Sequence, residues 1–190
     1  MTGLGGEIAA EQGKVVVIVG TPTERSAHVA TQLPVQIEFS LPAGWQAAQP
    51  DEVGAPGVAF VALHGAPSGG FTSNITIAGQ VRDDETPLDT IAAESAERLG
   101  QETDVVQVRN RKPVGSERAP GLTQVLDIGT TVRDRRLQLV QCQVYLDLHA
   151  DEDPAQRAVL EIVLTCESDR LGAVLGDFQQ FVGTVRPESN

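Results

Sequence analysis

Along residues 35–41 (VQIEFSL) the apolar positions Val35, Ile37, Phe39 and Leu41 alternate with Gln36, Glu38 and Ser40, the period of a strand with one buried face. Pro42, Ala43 and Gly44 interrupt the pattern, and Trp45, the only tryptophan, follows the turn. Residues 58–63 (VAFVAL) and 74–81 (NITIAGQV) read as two further strands joined by a long, glycine-rich tip. Four more strand-like stretches follow at 104–108 with a continuation towards Val114, 122–132, 136–148 and 158–167. Their links are too short for the crossover of a dozen or more residues that parallel pairing needs, so they predict an antiparallel meander.

The period changes twice. In residues 86–100, Leu88, Ile91, Ala92, Ser95 and Leu99 share one helical stripe, with Glu94, Glu97 and Arg98 opposite. Thr86 is expected as the N-cap with Pro87 as the first helical residue and Gly100 as the stop. In residues 168–186, Ser168 is expected to cap a second helix whose stripe is Leu171, Val174, Leu175, Phe178, Phe181 and Val182. The expected class is α+β: an antiparallel sheet of about six strands packed with two main helices. Residues 1–31 read as a small, polar tail with a short β-branched strand at 14–20 (KVVVIVG). Residues 32–187 read as one domain, consistent with 190 residues of which 41% are hydrophobic.

Charge narrows the partners. A formal net charge of −12 repels phosphate backbones and anionic lipid headgroups, which argues against nucleic acid. No apolar run approaches the length of a membrane span. Residues 1–13 lack the basic and apolar regions of a secretory signal, so a cytoplasmic location is expected. Within this acidic chain, seven of the fourteen basic residues (Arg109, Arg111, Lys112, Arg118, Arg133, Arg135 and Arg136) fall between positions 109 and 136, against three acids there. Such a basic end could steer an acidic protein partner, or could guard edge strands and hairpin tips against pairing with other chains. Arg109, Arg111, Lys112, Arg133, Arg135 and Arg136 are therefore the candidate partner-binding residues; Trp45 reads first as a core or rim anchor, and as an aromatic at a loop mouth it joins them as a candidate for lining a binding groove.

Catalytic and metal chemistry find little support. His28, His64 and His149 lie in a connector and at two strand ends, and none adjoins a G-x-S-x-G elbow. The run 15–26 (VVVIVGTPTERS) and the loop 65–70 (GAPSGG) lack the spacing and the following helix of a phosphate-binding loop. Asp147, Asp151, Glu152 and Asp153 cluster without the register of an EF-hand and read as a solvated turn. Cys142 and Cys166 fall on the apolar side of their strands and read as two buried thiols, with a disulfide between them as the alternative. No enzyme activity, cofactor or metal is expected.

The strand ending in LPAGW, the strands VAFVAL and NITIAGQV, and the helix TPLDTIAAESAERLG together resemble the actinobacterial LpqN/LpqT-type lipoprotein family. More broadly they resemble the PsbP-like fold shared with a Ran-binding nuclear transport factor. The resemblance runs from about Val35 to Arg186 and implies an antiparallel sheet with packed helices and a non-catalytic binding or accessory role. Members of the lipoprotein group carry an export signal and a lipid-modified cysteine near the start, which this sequence does not show. The shared motif is made of fold residues, so it transfers no site. The expected function is to present a surface to a protein partner, possibly in an envelope or secretion assembly. The alternative is a small-molecule or lipid carrier with an apolar pocket between the sheet and the 88–99 helix.

Overall fold

The computed structural model describes residues 33–65, 70–82, 85–117, 119–149 and 157–187. The expected tail and strand within 1–31, His28, most of the glycine-rich loop, Arg118 and the acids at 151–153 lie outside these residues.

In chain order the elements are β1 (Ile37–Glu38), β2 (Trp45–Ala48), β3 (Phe60–His64), β4 (Asn74–Arg82), α1 (Leu88–Glu102), β5 (Val105–Ser116), β6 (Ala119–Val132), β7 (Arg135–His149), β8 (Arg157–Glu167), a 3-10 turn at Ser168–Arg170, α2 (Leu171–Thr184) and β9 (Arg186–Pro187). Strands β2 to β8 form one antiparallel sheet in the order β2-β3-β4-β8-β7-β6-β5, so the meander from β5 to β8 folds back to meet β4 at the centre. The class is α+β, as the periodicity indicates.

Because side chains alternate along each strand, the register divides the core into two layers. Val140, Cys142, Val144, Ile162, Leu164 and Cys166 face α2 and pack with its Val174, Phe178 and Phe181. The intervening residues face α1: Leu122, Tyr145 and Val159 meet Leu88, Ile91 and Ala92, while Leu126, Ile128, Leu137 and Leu139 meet Leu99. Each face of the sheet thus carries one helix.

Four local expectations change. The alternation at 35–41 places Ile37, Phe39 and Leu41 against the α2 layer, yet only Ile37–Glu38 is paired, and its partner is the chain end Arg186–Pro187 in a separate two-stranded sheet. Alternation specifies which side is buried and leaves the pairing partner open. The main sheet therefore has seven strands, its first being Trp45–Ala48, which is too short to show a period.

Helix α1 begins at Leu88, with Pro87 extended (ψ 147°) in the cap position. Because Pro87 is itself outside the helix, Thr86 stands one residue beyond the cap position, and its carbonyl accepts from Arg157 Nη1 at 2.7 Å. The helix also passes Gly100 to end at Glu102, where the Thr103 hydroxyl donates to the Leu99 carbonyl at 2.7 Å. Ser168 likewise does not cap α2: it opens the 3-10 turn and its hydroxyl donates to the Gln138 carbonyl on β7.

Candidate functional site

A helix with its side chains is about 10–12 Å across, whereas seven strands at about 4.8 Å spacing make a sheet about 29 Å wide. One helix therefore cannot cover a whole face. On the α2 face, the β2 to β4 side is covered in addition by Leu33, Ile37, Phe39 and Leu41. The β5 to β7 side has no second cover among the described residues, and an open groove of about 470 Å³ runs there beside α2. Leu171, Leu175 and Phe178 form its helical wall, and Val125, Cys142 and Val144 its floor. Arg109, Asn110 and Lys112 of the edge strand stand at its rim.

The rim is uneven in charge. Arg109 makes a bidentate pair with Asp127, partly neutralising it, whereas Lys112 makes no ion pair among the described residues. Cys142 on the floor is buried, and burial pushes its thiol up to about 11; Cys166, deeper in the same layer, is pushed up to about 12 for the same reason. Both cysteines are free. Cys142 lies opposite Leu164 and Cys166 opposite Val140, so the two are diagonal neighbours about 7–8 Å apart, beyond the Cα reach of a disulfide.

The opposite face, where an apolar pocket under α1 was the alternative expectation, holds a buried polar chain. Ser95 Oγ and Tyr145 Oη approach Glu161 Oε1 at 3.1 and 3.0 Å. Tyr145 Oη also lies 2.9 Å from Gln143 Oε1, which accepts from Gln124 Nε2 at 2.7 Å. Gln124 Nε2 donates to the Ala92 carbonyl of α1, and its Oε1 accepts from Arg111 Nε at 2.6 Å. Burial raises the Glu161 carboxyl above its ordinary range, and Tyr145 is raised by burial and by the neighbouring Glu161. A protonated Glu161 would donate to Tyr145, freeing the one tyrosine hydrogen for Gln143. These groups hold α1 to four strands, β8 to β5.

The seven candidate residues of the sequence do not form one patch. Arg109 and Lys112 share the groove rim. Arg111, one register position away, faces the α1 side and reaches Asp89 at 3.4 Å. Arg133, Arg135 and Arg136 sit at the β6–β7 hairpin, where Arg135 pairs with Glu167 at 3.6 Å. Trp45 is buried in the α2 layer, edge-on to His64 at 5.1 Å. Asp147 pairs with Arg157 at 2.8 Å.

The groove residues themselves carry no sequence signal beyond that of core positions. Val125, Cys142 and Val144 sit at inward positions of their strands, and Leu171, Leu175 and Phe178 lie on the apolar stripe of α2. The one available hint is the ratio of many strands to a single 14-residue helix on that face.

No family model matches the chain, and no curated protein matches it. Solved structures do. LpqN, involved in cell envelope biogenesis of Mycobacterium tuberculosis, superposes with a TM-score of 0.57 at 9% identity, covering 81% of this chain and 86% of its own. The cyanobacterial PsbP of Synechocystis gives 0.55 at 12% identity, covering 87% of this chain and 99% of its own. No helix among the described residues is long and apolar enough to cross a membrane. At these identities the likeness concerns architecture alone, and the chain has the PsbP-like α+β fold.

Proposed function

We propose that this chain is a non-enzymatic binding or accessory domain that offers the groove beside α2 to a protein partner carrying an apolar segment flanked by acidic residues. The observation that supports this most is the groove itself: an apolar floor beside a helix, with Lys112 and Arg109 at its rim, in a chain whose net charge is −12. Apolar floor area supplies affinity, while a local cation in an acidic protein selects partner and orientation. The polar groups under α1 are engaged with one another and with the backbone of α1, which supports a structural role for them. The fold likeness to LpqN supports membership of the LpqN/LpqT-type group and a partner from an envelope or secretion assembly. Such an assembly can be met from the cytoplasm, the location expected from the sequence, and cell fractionation checks this. Arg133, Arg135 and Arg136 form a second, smaller basic end that the same partner could touch.

A photoreactive residue at Lys112 or Gln179 in native cells is expected to trap one protein reproducibly, and the same residue at Glu97 on α1 to trap none. Binding of that purified protein should then weaken with Lys112→Glu and with rising salt. Equal trapping from both faces overturns the proposal. Charge reversal at Arg133, Arg135 and Arg136 reports separately on the hairpin end.

A second reading has its own support. The floor is lined by Val125, Cys142, Val144, Leu175 and Phe178, and its volume lies in the range of about 300–1,000 Å³ that holds small molecules. On this reading the protein carries a small apolar ligand in the α2 groove. Recovery of such a molecule from the native protein by mass spectrometry, with no protein trapped at Gln179, would favour it.

A further inference from the structure

We propose that the groove beside α2 receives an amphipathic helix of the partner, lying alongside α2 above β6 and turning an acidic edge towards Lys112. This rests on the reading of that groove as the partner surface, and gives the form of the segment it takes.

Spacing sets the position of such a helix. α2 packs over β8 and β7 through Val174, Phe178 and Phe181. Packed helices lie about 8–10 Å axis to axis, and two strand spacings, about 10 Å, lead from β8 to β6. A second helix beside α2 therefore runs above β6, with β5 and β7 under its sides, which is where the groove lies. Length fits as well. Val105 and Val114 face the α2 side at the two ends of β5, nine positions apart, or about 30 Å of strand. A helix of about 20 residues is that long.

Open apolar surface marks the same strip. Cys142 and Val144 are already buried, so the area left lies outside them. Val105 is 61% and Val114 37% exposed, and Val125, Leu171 and Leu175 are partly so. Between the valines β6 is low: Gly121 stands between Val114 and Leu146, and Gly129 between Val105 and Gln138. A helix satisfies its own backbone N–H and C=O groups, whereas an extended segment above β6 would have no strand beside it to bond them. The place for an added strand is the outer edge of β5, and Pro113, the charges and the register break between Val108 and Asn110 make it a poor template. A second copy of this chain supplies no such helix among the described residues, because α1 and α2 both pack their apolar stripes on their own sheet.

Charge sets the orientation. Along this strip of β5 and β6 the charged residues are Arg109, Lys112 and Asp127. Arg109 and Asp127 pair with each other, which leaves Lys112 as the uncancelled charge in a chain whose formal net charge is −12. An acidic edge is attracted here and repelled by the rest of the molecule. The helix therefore lies with that edge outward over β5 and its apolar stripe against Val125, Leu171 and Leu175.

The test uses the whole chain and three labelled peptides of about 18 residues made from leucine, alanine, glutamine and glutamate. The first sets leucine at the helical period with glutamate along one edge. The second has the same composition with leucine at every other position, and the third carries lysine in place of glutamate. Fluorescence anisotropy is expected to show the first binding at least about tenfold more tightly than either of the others. Lys112→Glu and Val114→Glu should each weaken it several-fold, and Val81→Glu, at an exposed position of β4 outside the groove, should leave it unchanged. Equal binding of the two leucine arrangements, no binding of the first peptide, or insensitivity to both groove substitutions overturns the proposal. A protein trapped at Gln179 in cells, with no preference among the peptides, removes the helical form and leaves the partner reading standing. A preference for the first peptide, with nothing trapped in cells, removes only the partner reading.

Discussion

Trp45 Nε1–H donates to Asp177 Oδ2 at 3.0 Å, joining the first strand of the sheet to the middle of α2 across 132 positions of sequence. The indole is buried and its acceptor is a carboxylate. Asp177→Ala should therefore cost about 1.5–3 kcal/mol, the range for hydrogen bonds to charged groups. Urea denaturation measures the loss. Since Trp45 is the only tryptophan, its emission should change in the native baseline as well. An unchanged midpoint would show that the bond contributes nothing.

Arg157 and Asp147 form an ion pair whose side chains are only 12% and 11% exposed, and Arg157 also holds the Thr86 carbonyl at the start of α1. Removing one partner leaves the other charge buried without its mate. Arg157→Met or Asp147→Asn should each cost about 3–5 kcal/mol, and the double substitution less than their sum. Additive losses in a double-mutant cycle would contradict the coupling.

Glu161 ties stability to pH. Burial lifts its carboxyl above the ordinary value of 4.5, against the lowering influence of Tyr145, Arg98 and Ser95. The folded chain therefore holds this proton more tightly than the unfolded chain. Its contribution is fully present below pH 4.5 and is lost as pH rises through the raised native value. Glu161→Gln, which keeps a hydrogen-bonding group but cannot ionise, should flatten the stability profile across that window and be more stable than the natural chain above it. A natural chain whose stability relative to Glu161→Gln does not fall with rising pH would contradict the assignment.

Arg133 and Asp134 take left-handed backbone, with φ of 50° and 62°, at the two-residue turn between β6 and β7. Glycine and asparagine suit such a turn far better. The joint change Arg133→Asn and Asp134→Gly should stabilise the fold by about 1 kcal/mol. A rise in melting temperature with unchanged partner affinity would assign Arg133 to the turn, and a rise with weakened binding would assign it to the partner surface.

Much of this fold was legible before any coordinates. The stripes Leu88, Ile91, Ala92, Ser95, Leu99 and Val174, Phe178, Phe181 are buried as their spacing requires, and the short links between β5, β6, β7 and β8 allow only the antiparallel pairing seen. The burial of Cys142 and Cys166 follows from the same period-two alternation, whereas their being unbonded is set by the strand register. These properties are local: they depend on side-chain direction and loop length, which a short stretch of chain specifies for itself.

What the tertiary structure decided is non-local. Ile37 pairs with Pro187, a partner 150 positions away that alternation along 35–41 does not specify. The candidate site shows this most clearly. Arg109, Arg111 and Lys112 are near neighbours in sequence, yet Arg111 faces α1 while Lys112 and Arg109 stand at the groove beside α2. That groove exists because a single helix is narrower than the seven strands beneath it, and the number of strands sharing a sheet is set only when distant segments pair.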